Sequence, residues 1–476
     1  MHNPPSRLPT TGSSPSPADA RPSVDRCPGA LVLHEAADGG LARIRLPGGL
    51  VDGDVLVALA ALAESFSGQP SGGQPFGGHG PGGGAVELTS RGNLQLRGVR
   101  RERRDELAER VARLGLLPSA THERVRNIVA SPRAGLVAAP GGSPASAGTA
   151  VSAGTAVPGA TETSGGTAVD EPALDGLVRA LDRALCADAA LAALSGRFLF
   201  GLDDGTGDIA ALAPDAWAAH VGPGRWWVAP AGVEVGGAAV VEELLAAARA
   251  FLRAAADPSA RGRSVWRMRD LPDRGAGLAA ALRRGRRAAP VPVADPTARP
   301  VGLWRRPDGG LAAGVQVPLG LLNREAAELL ASAADGPGRQ PLRVTPWRGV
   351  VVPLLADPAE FTARARRAGL VTDSDSPWAR VTACAGRPGC ASALADVRAD
   401  VSRAVSAGSV VPVADTVPVI DTTRLARVAR PGARAHWSGC GRRCGRPGGP
   451  HVEVVAGPAG YLVRDAGADP KEPPGW

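Results

Sequence analysis

Six cysteines occur in the 476-residue chain, and four of them fall in two pairs whose spacing lets thiolates converge on one metal centre. Cys384-Ala-Gly-Arg-Pro-Gly-Cys390 is C-x5-C, and Cys440-Gly-Arg-Arg-Cys444 is C-x3-C. A four-cysteine zinc site favours paired C-x2-C to C-x4-C knuckles. The first pair is too wide for that pattern, although zinc and unligated thiols remain the alternatives. The spacing is read as the ligand set of a [4Fe–4S] cluster held by Cys384, Cys390, Cys440 and Cys444. Gly386, Gly389, Gly439, Gly441 and Gly445 let the backbone approach a bulky inorganic core and aim N–H groups at its sulfurs. Cys27 and Cys186 have no partner at ligand spacing and read as ordinary thiols. No Gly-x-Gly-x-x-Gly opens a helix after a strand, so no dinucleotide site is expected within the chain.

A scaffold must bring the two pairs together, and the sequence repeats itself in a way that suggests one. LARIRLP (41–47) and AAGVQVP (312–318) both alternate apolar and polar positions and end in proline, as a strand leaving a sheet would. Helical stretches follow at 55–65 and 324–334. Each copy then gives a second strand with an Arg-Gly pair, VELTSRGNLQL (86–96) and LRVTPWRGVVV (342–352), with Arg91 and Arg348 in matching places. On the first strand Arg43 and Arg45 share one face, opposite Ile44 and Leu46.

Between the copies, residues 171–290 read as mixed α/β, with helices at 173–193 and 238–256. A strand at 197–202 there runs into the turn Asp203-Asp204-Gly205. Residues 361–476 form a second such region. Within it 391–405 reads as a helix, with Leu394, Val397, Val401 and Val405 at three- and four-residue spacing. The first cysteine pair would then open onto a helix N-terminus, which favours negative charge. The expected fold is α+β, in two pseudo-symmetric halves. Domain bounds fall at 31–133 (with a Gly-rich insert, 67–84), 171–290, 291–360 and 361–476. The tail 1–30 and the linker 134–170 read as flexible.

Aromatic residues make up 3% of the chain, so its cores must be built from Ala, Val and Leu. The formal charge of +8 is carried by arginine, Lys471 being the one lysine. Codon bias in a GC-rich genome accounts for such a composition. A polyanionic ligand is the other reading, because the guanidinium fork grips carboxylates bidentately. No secretory leader or membrane-length apolar run is evident, which fits a soluble cytoplasmic protein with no nucleic-acid or membrane partner.

ACAGRPGCASALADVR (383–398) and SGCGRRCGRP (438–447) resemble the cluster motifs of the sirohaem sulfite and nitrite reductases. RIRLPGG (43–49), LTSRGNLQLRG (88–98) and RVRNIVASP (124–132) are similar to that family's first strand, its macrocycle-touching arm and the arginine–asparagine stretch that follows. GLARIRLPGG (40–49), SGRFLFGLDDGTGD (195–208) and HWSGCGRRCGRP (436–447) look most like its precorrin-3B synthase branch.

The resemblance implies that each half is a ferredoxin-like half-domain plus an α/β domain of the nitrite/sulfite-reductase type. It also implies a macrocycle site containing Arg43, Arg91, Gln95, Arg126, Asn127 and Arg197. Arg43, Arg126 and Arg197 match three basic residues of the reductases' anion pocket, and Leu199 falls where a fourth would stand. Arg443 replaces the glycine usual before the last cysteine, either crowding the macrocycle side or finding a carboxylate.

The activity implied is oxygen-dependent conversion of precorrin-3A to precorrin-3B, by C20 hydroxylation with γ-lactone formation. Electrons would come from a reductase or ferredoxin partner, drawing on NADH or NADPH, and a non-haem iron would serve oxygen activation. A sirohaem-dependent sulfite or nitrite reductase is the alternative enzyme. A non-catalytic tetrapyrrole-binding protein is the alternative of another class.

Overall fold

The computed structural model describes residues 25, 27–66, 84–137, 174–257, 264–295, 299–336, 338–413, 418–420 and 432–466. The expected tail up to 24, the insert at 67–83 and most of the linker lie outside the described residues.

Two antiparallel sheets form the centre, and each half lends the other a strand. One sheet runs β1 (His34–Ala36), β2 (Gly39–Ile44), β5 (Leu94–Val99), β4 (Val86–Leu88) and then β13 (Leu321–Leu322), which comes from the second half. The other runs β11 (Gly302–Arg305), β12 (Leu311–Gln316), β15 (Gly349–Leu355), β14 (Leu342–Val344) and then β3 (Leu50–Val51) from the first half. Leu321 pairs with Glu87, and Leu50 with Arg343.

The lent strands leave matching 3-10 turns, Pro47–Gly49 and Pro318–Gly320, whose middle residues Gly48 and Leu319 are both left-handed. Helices α1 (Gly53–Phe66) and α6 (Arg324–Ala333) cross at the pseudo-twofold. A Cβ on Gly53 would lie 2.9 Å from the Ala331 Cβ, so glycine permits the approach. One apolar core, including Leu56, Leu59, Leu94, Leu322, Leu330 and Val350, spans both sheets. Burying each such Leu stabilises by roughly 1.5–3 kcal/mol.

Each half also carries a mixed sheet. In the first, β6 (Ile128–Ala130), β7 (Phe200–Asp203) and β8 (Ala216–Gly222) are parallel neighbours, followed by antiparallel β9 (Arg225–Ala229) and β10 (Val233–Gly236). In the second, β16 (Val381–Ala383), β17 (Ala435–Ser438) and β18 (His451–Gly457) are parallel, and β19 (Gly460–Ala466) closes antiparallel. Helices α3 (Leu174–Ala187) and α4 (Val240–Ala255) cover the first; α9 (Val397–Ser406) packs on the second. The α+β class and the two similar halves are as expected.

Three local readings are corrected. Residues 86–96 and 342–352 are each a hairpin, β4–β5 and β14–β15, because Thr89 and Thr345 start tight turns that interrupt the alternation. Those turns fix the correspondence differently from the Arg-Gly pairs. Gly92 N–H donates to Thr89 O as Arg348 N–H does to Thr345 O, and both residues have positive φ (64° and 60°). Arg348 therefore matches Gly92, and Arg91 matches Trp347. Finally, α9 starts at Val397 and not at 391, since Asp396 caps it by accepting the Ala399 N–H, and Leu394 is exposed in the loop before it.

Candidate metal centre

Parallel neighbouring strands end on the same side of a sheet, so the loops after β16 and β17 emerge together. Cys384 and Cys390 lie on the first loop, and Cys440 and Cys444 on the second. The register Ala383–Trp437 sets the junction. Cys384 N–H donates to Trp437 O at 3.0 Å, and Gly439 N–H donates to Cys384 Sγ at 3.2 Å. Leu394 N–H donates to Gly439 O at 2.7 Å and ties the far end of the first loop to the second. Glycine is needed at 439, where a Cβ would stand 2.6 Å from that of Ala393.

Burial pushes the Cys444 thiol up, and so do the negative fields of Cys384, Cys440 and Cys390. A thiol whose neighbouring sulfurs raise its proton affinity needs a cationic partner to exist as a thiolate. Among the described residues no three of these sulfurs lie within 4.8 Å of one another. Zinc–sulfur bonds of about 2.3 Å would hold tetrahedral sulfurs roughly 3.8 Å apart. The sulfurs are thus not gathered as zinc would hold them, and a donor set of four thiols on two neighbouring loops fits the iron–sulfur group.

Behind the second loop His436 is buried on β17. Cys444 O accepts from its Nε2 at 3.2 Å, which leaves Nδ1 to accept the Thr382 hydroxyl proton at 2.9 Å. Burial and the Arg348 charge lower the imidazole to about 3, so it is neutral. Arg348 Nη2 would lie 3.3 Å from a Cβ at Gly445, whose φ of 81° also favours glycine. Arg443 turns away to Glu453 at 3.1 Å, a carboxylate it shares with Arg446 and Arg464. That settles the sequence ambiguity at Arg443 in favour of a carboxylate partner.

The first half reaches this loop through its arm. Arg97 on β5 holds Asp38 and donates to Gly389 O, between the two cysteines of the first pair. A buried chain runs alongside. Arg43 Nη2 donates to Gln95 Oε1 at 3.1 Å, Gln95 Nε2 donates to Glu87, and Glu87 pairs with Arg398 at 2.6 Å in the first turn of α9.

Arg45, just past β2, is fully buried. Its fork donates only to the carbonyls of Pro28 and Arg124, and Nη1 has no partner. Burial and the neighbouring Arg43 charge push it well below the usual arginine range. Arg91 is lowered to about 9 by burial and by Arg267. Arg43, Arg45 and Arg91 thus form a mutually repelling cationic group, with the Arg43 Nε also unpartnered.

The other expected residues are engaged elsewhere. Arg126 spends its fork on Asp182 at 2.7 Å and on Leu116 O. Asn127 bridges the carbonyls of Arg124 and Gly196 and accepts from Asn93. Arg197 lies over the Trp266 ring at 3.8 Å and 4.0 Å from Asp25. Leu199 is buried against Val129 and Ile209. Arg45, Glu87, Arg97 and Arg398 are the residues that reading for motifs passed over. Arg45 alone had a signal, its shared strand face with Arg43.

No family model matches the chain. Over 100 residues it is 36% identical to the ferredoxin–nitrite reductase of Synechococcus elongatus, a stretch covering 21% of this chain and 17% of that protein. The solved structure of the NirA protein of Mycobacterium tuberculosis superposes with a TM-score of 0.59 at 17% identity, covering 89% of this chain and 73% of that one. The fold is of the nitrite/sulfite-reductase type. In this fold the cysteine loops belong to the second half and the Arg43–Gln95 arm to the first, so the arm meets the cysteine loops only when the halves pack. No described helix is long and apolar enough to cross a membrane.

Proposed function

We propose that the chain is an iron–sulfur oxidoreductase whose arginine-walled site takes the carboxylates of a tetrapyrrole. The observation that carries this is Arg45, a buried guanidinium with an unpartnered Nη1, beside Arg91 and beside Arg43, which is joined through Gln95, Glu87 and Arg398 to the helix behind the cysteines. Desolvated cations without a counter-ion are costly, and a ligand carboxylate relieves that cost. Cys384, Cys390, Cys440 and Cys444 would hold a [4Fe–4S] cluster, which when bound supplies single electrons. Gly439 N–H on Cys384 Sγ helps stabilise the thiolate.

In its finer form the reaction is C20 hydroxylation of precorrin-3A with γ-lactone formation. One atom of dioxygen enters product and the other leaves as water. Two electrons come from an external reductase or ferredoxin fed by NADH or NADPH. Arg43, Arg45 and Arg91 orient the macrocycle by its acetates and propionates, and Gln95 fixes the Arg43 fork. Buried apolar Leu199 and the capture of Arg126 by Asp182 leave fewer positive groups for a small inorganic anion, which suits neutral dioxygen.

A sirohaem-dependent sulfite or nitrite reductase is the second reading, and the curated relative's name favours it. There the site would hold sirohaem as a resident cofactor. Anaerobic purification with iron, sulfide and tetrapyrrole counts separates the two readings. Four irons and four sulfides without sirohaem bands, with one labelled oxygen atom from dioxygen in product, support the synthase. Stoichiometric sirohaem with sulfite or nitrite turnover supports the reductase. Zinc without iron or sulfide overturns both.

A further inference from the structure

The internal pseudo-twofold places a second cationic cleft in the molecule, and it is built from the counterparts of the first site. The residue before β6 is Asn127; before β16 it is Arg380. The residue before β7 is Leu199; before β17 it is Arg434. The registers Ile128–Phe200 and Val381–Ala435 make these positions equivalent. Arg348 stands where the first half has Gly92. Thus the second half carries arginine at three positions where the first has none.

Arg348, Arg380 and Arg434, with Arg299, line one open cleft, and no acidic side chain is among its lining residues. Its opposite wall, Ala211 and Leu212, comes from the first half. Trp347 adds an aromatic surface, with the Arg299 guanidinium 5.0 Å from the ring centroid. Arg380 Nε is buried without a hydrogen-bond partner. Burial and the Arg434 charge lower Arg299 to about 9 against the opposing charges of Asp295 and Asp208, Asp295 also acts on Arg434, and burial and Arg398 lower Arg348 to about 10.

We propose that this cleft is a second anion site, taking a flat organic anion with several carboxylates. Forked guanidiniums converging from the residues that lead into two strands, from a loop and from a hairpin turn suit separated carboxylates on one rigid body, and the apolar wall with Trp347 suits its face. The cleft reaches Gly445, the neighbour of Cys444, so the occupant lies beside the cysteine loop. The site goes beyond the proposed activity, and binding alone tests it.

The experiment is calorimetric titration of the whole chain with mellitate (benzenehexacarboxylate) at low and moderate salt. The variant Arg380→Met with Arg434→Met should lose one equivalent, or weaken that step at least tenfold. Leu212→Glu, which removes no arginine and sets a negative charge on the facing wall, should do the same. Unchanged stoichiometry and affinity in a folded variant overturn the proposal. So does binding lost only in Arg43→Met, which would assign all of it to the first site. Inorganic phosphate competing as well as mellitate would overturn the polycarboxylate class.

Discussion

Glu87 and Arg398 form an ion pair of 2.6 Å that joins the middle of β4 in the first half to the first turn of α9 behind the cysteine loops. Its pseudo-symmetric counterpart has the charges reversed. Arg343, in the middle of β14, pairs at 3.1 Å with Asp175 in the first turn of α3. Both pairs are largely buried, so each fixes how a half-domain seats against a mixed sheet.

Burial alone would raise the Glu87 carboxyl, but Arg398, with Arg97 and Gln95, outweighs it and holds the group below its usual range. Removing one partner leaves the other charge buried. Glu87→Met or Arg398→Met should each cost on the order of 3–5 kcal/mol, and the double variant should cost clearly less than either. Urea unfolding of the three variants measures this. A double variant as unstable as the sum of the singles would show that the pair does not act as a unit.

Cys390→Ser and Cys440→Ser remove one donor from each loop. Each should lower iron and labile sulfide per chain to a small fraction of the parent value. Cys186→Ser, on α3, should leave both counts unchanged. Iron and sulfide assays on protein purified without oxygen check this. Full iron in Cys440→Ser would exclude the four-thiol centre.

Gly439→Ala puts a methyl group 2.6 Å from Ala393 Cβ, where the two cysteine loops touch. Overpacking of this kind costs about 1–3 kcal/mol. It should also displace the N–H that Cys384 Sγ accepts. Faster loss of iron to a chelator, with global unfolding shifted only slightly, is the expected result. Equal rates would mean that the loops yield without strain.

Asp208 is buried and accepts the Ser131 hydroxyl at 2.5 Å. Burial, and then the charges of Asp204 and Asp203, raise its carboxyl to about 7. A carboxyl with a raised folded pKa binds its proton more tightly folded than unfolded. Its contribution is therefore most favourable below about pH 4 and is lost as pH rises through about 7. Asp208→Asn should be unaffected by that loss. The difference in unfolding free energy between variant and parent should thus shift towards the variant from pH 5 to pH 8. A constant difference would contradict the raised pKa.

The four cysteines could be grouped from spacing because ligand sets are local along each loop. The repeat of strand and helix was likewise legible, since alternation and helical periodicity are written residue by residue. Those patterns were enough for an α+β chain with two similar halves. They failed at the hairpins, where Thr89 and Thr345 reverse the chain through side-chain and backbone hydrogen bonds that leave no periodic trace. They also failed at 391–396, where apolar spacing continued the helix but the Asp396 cap began it later.

What packing alone decided was which arginines face one another. Composition supplies many of them, and neighbouring charges along the chain look alike. Asp182 neutralises Arg126, Glu453 collects Arg443, Arg446 and Arg464, and no described carboxylate pairs with Arg45. These outcomes depend on contacts between strands and helices remote in sequence. The exchange of β3 and β13 between the halves is of the same kind, because strand pairing is a property of surfaces brought together, not of either segment by itself.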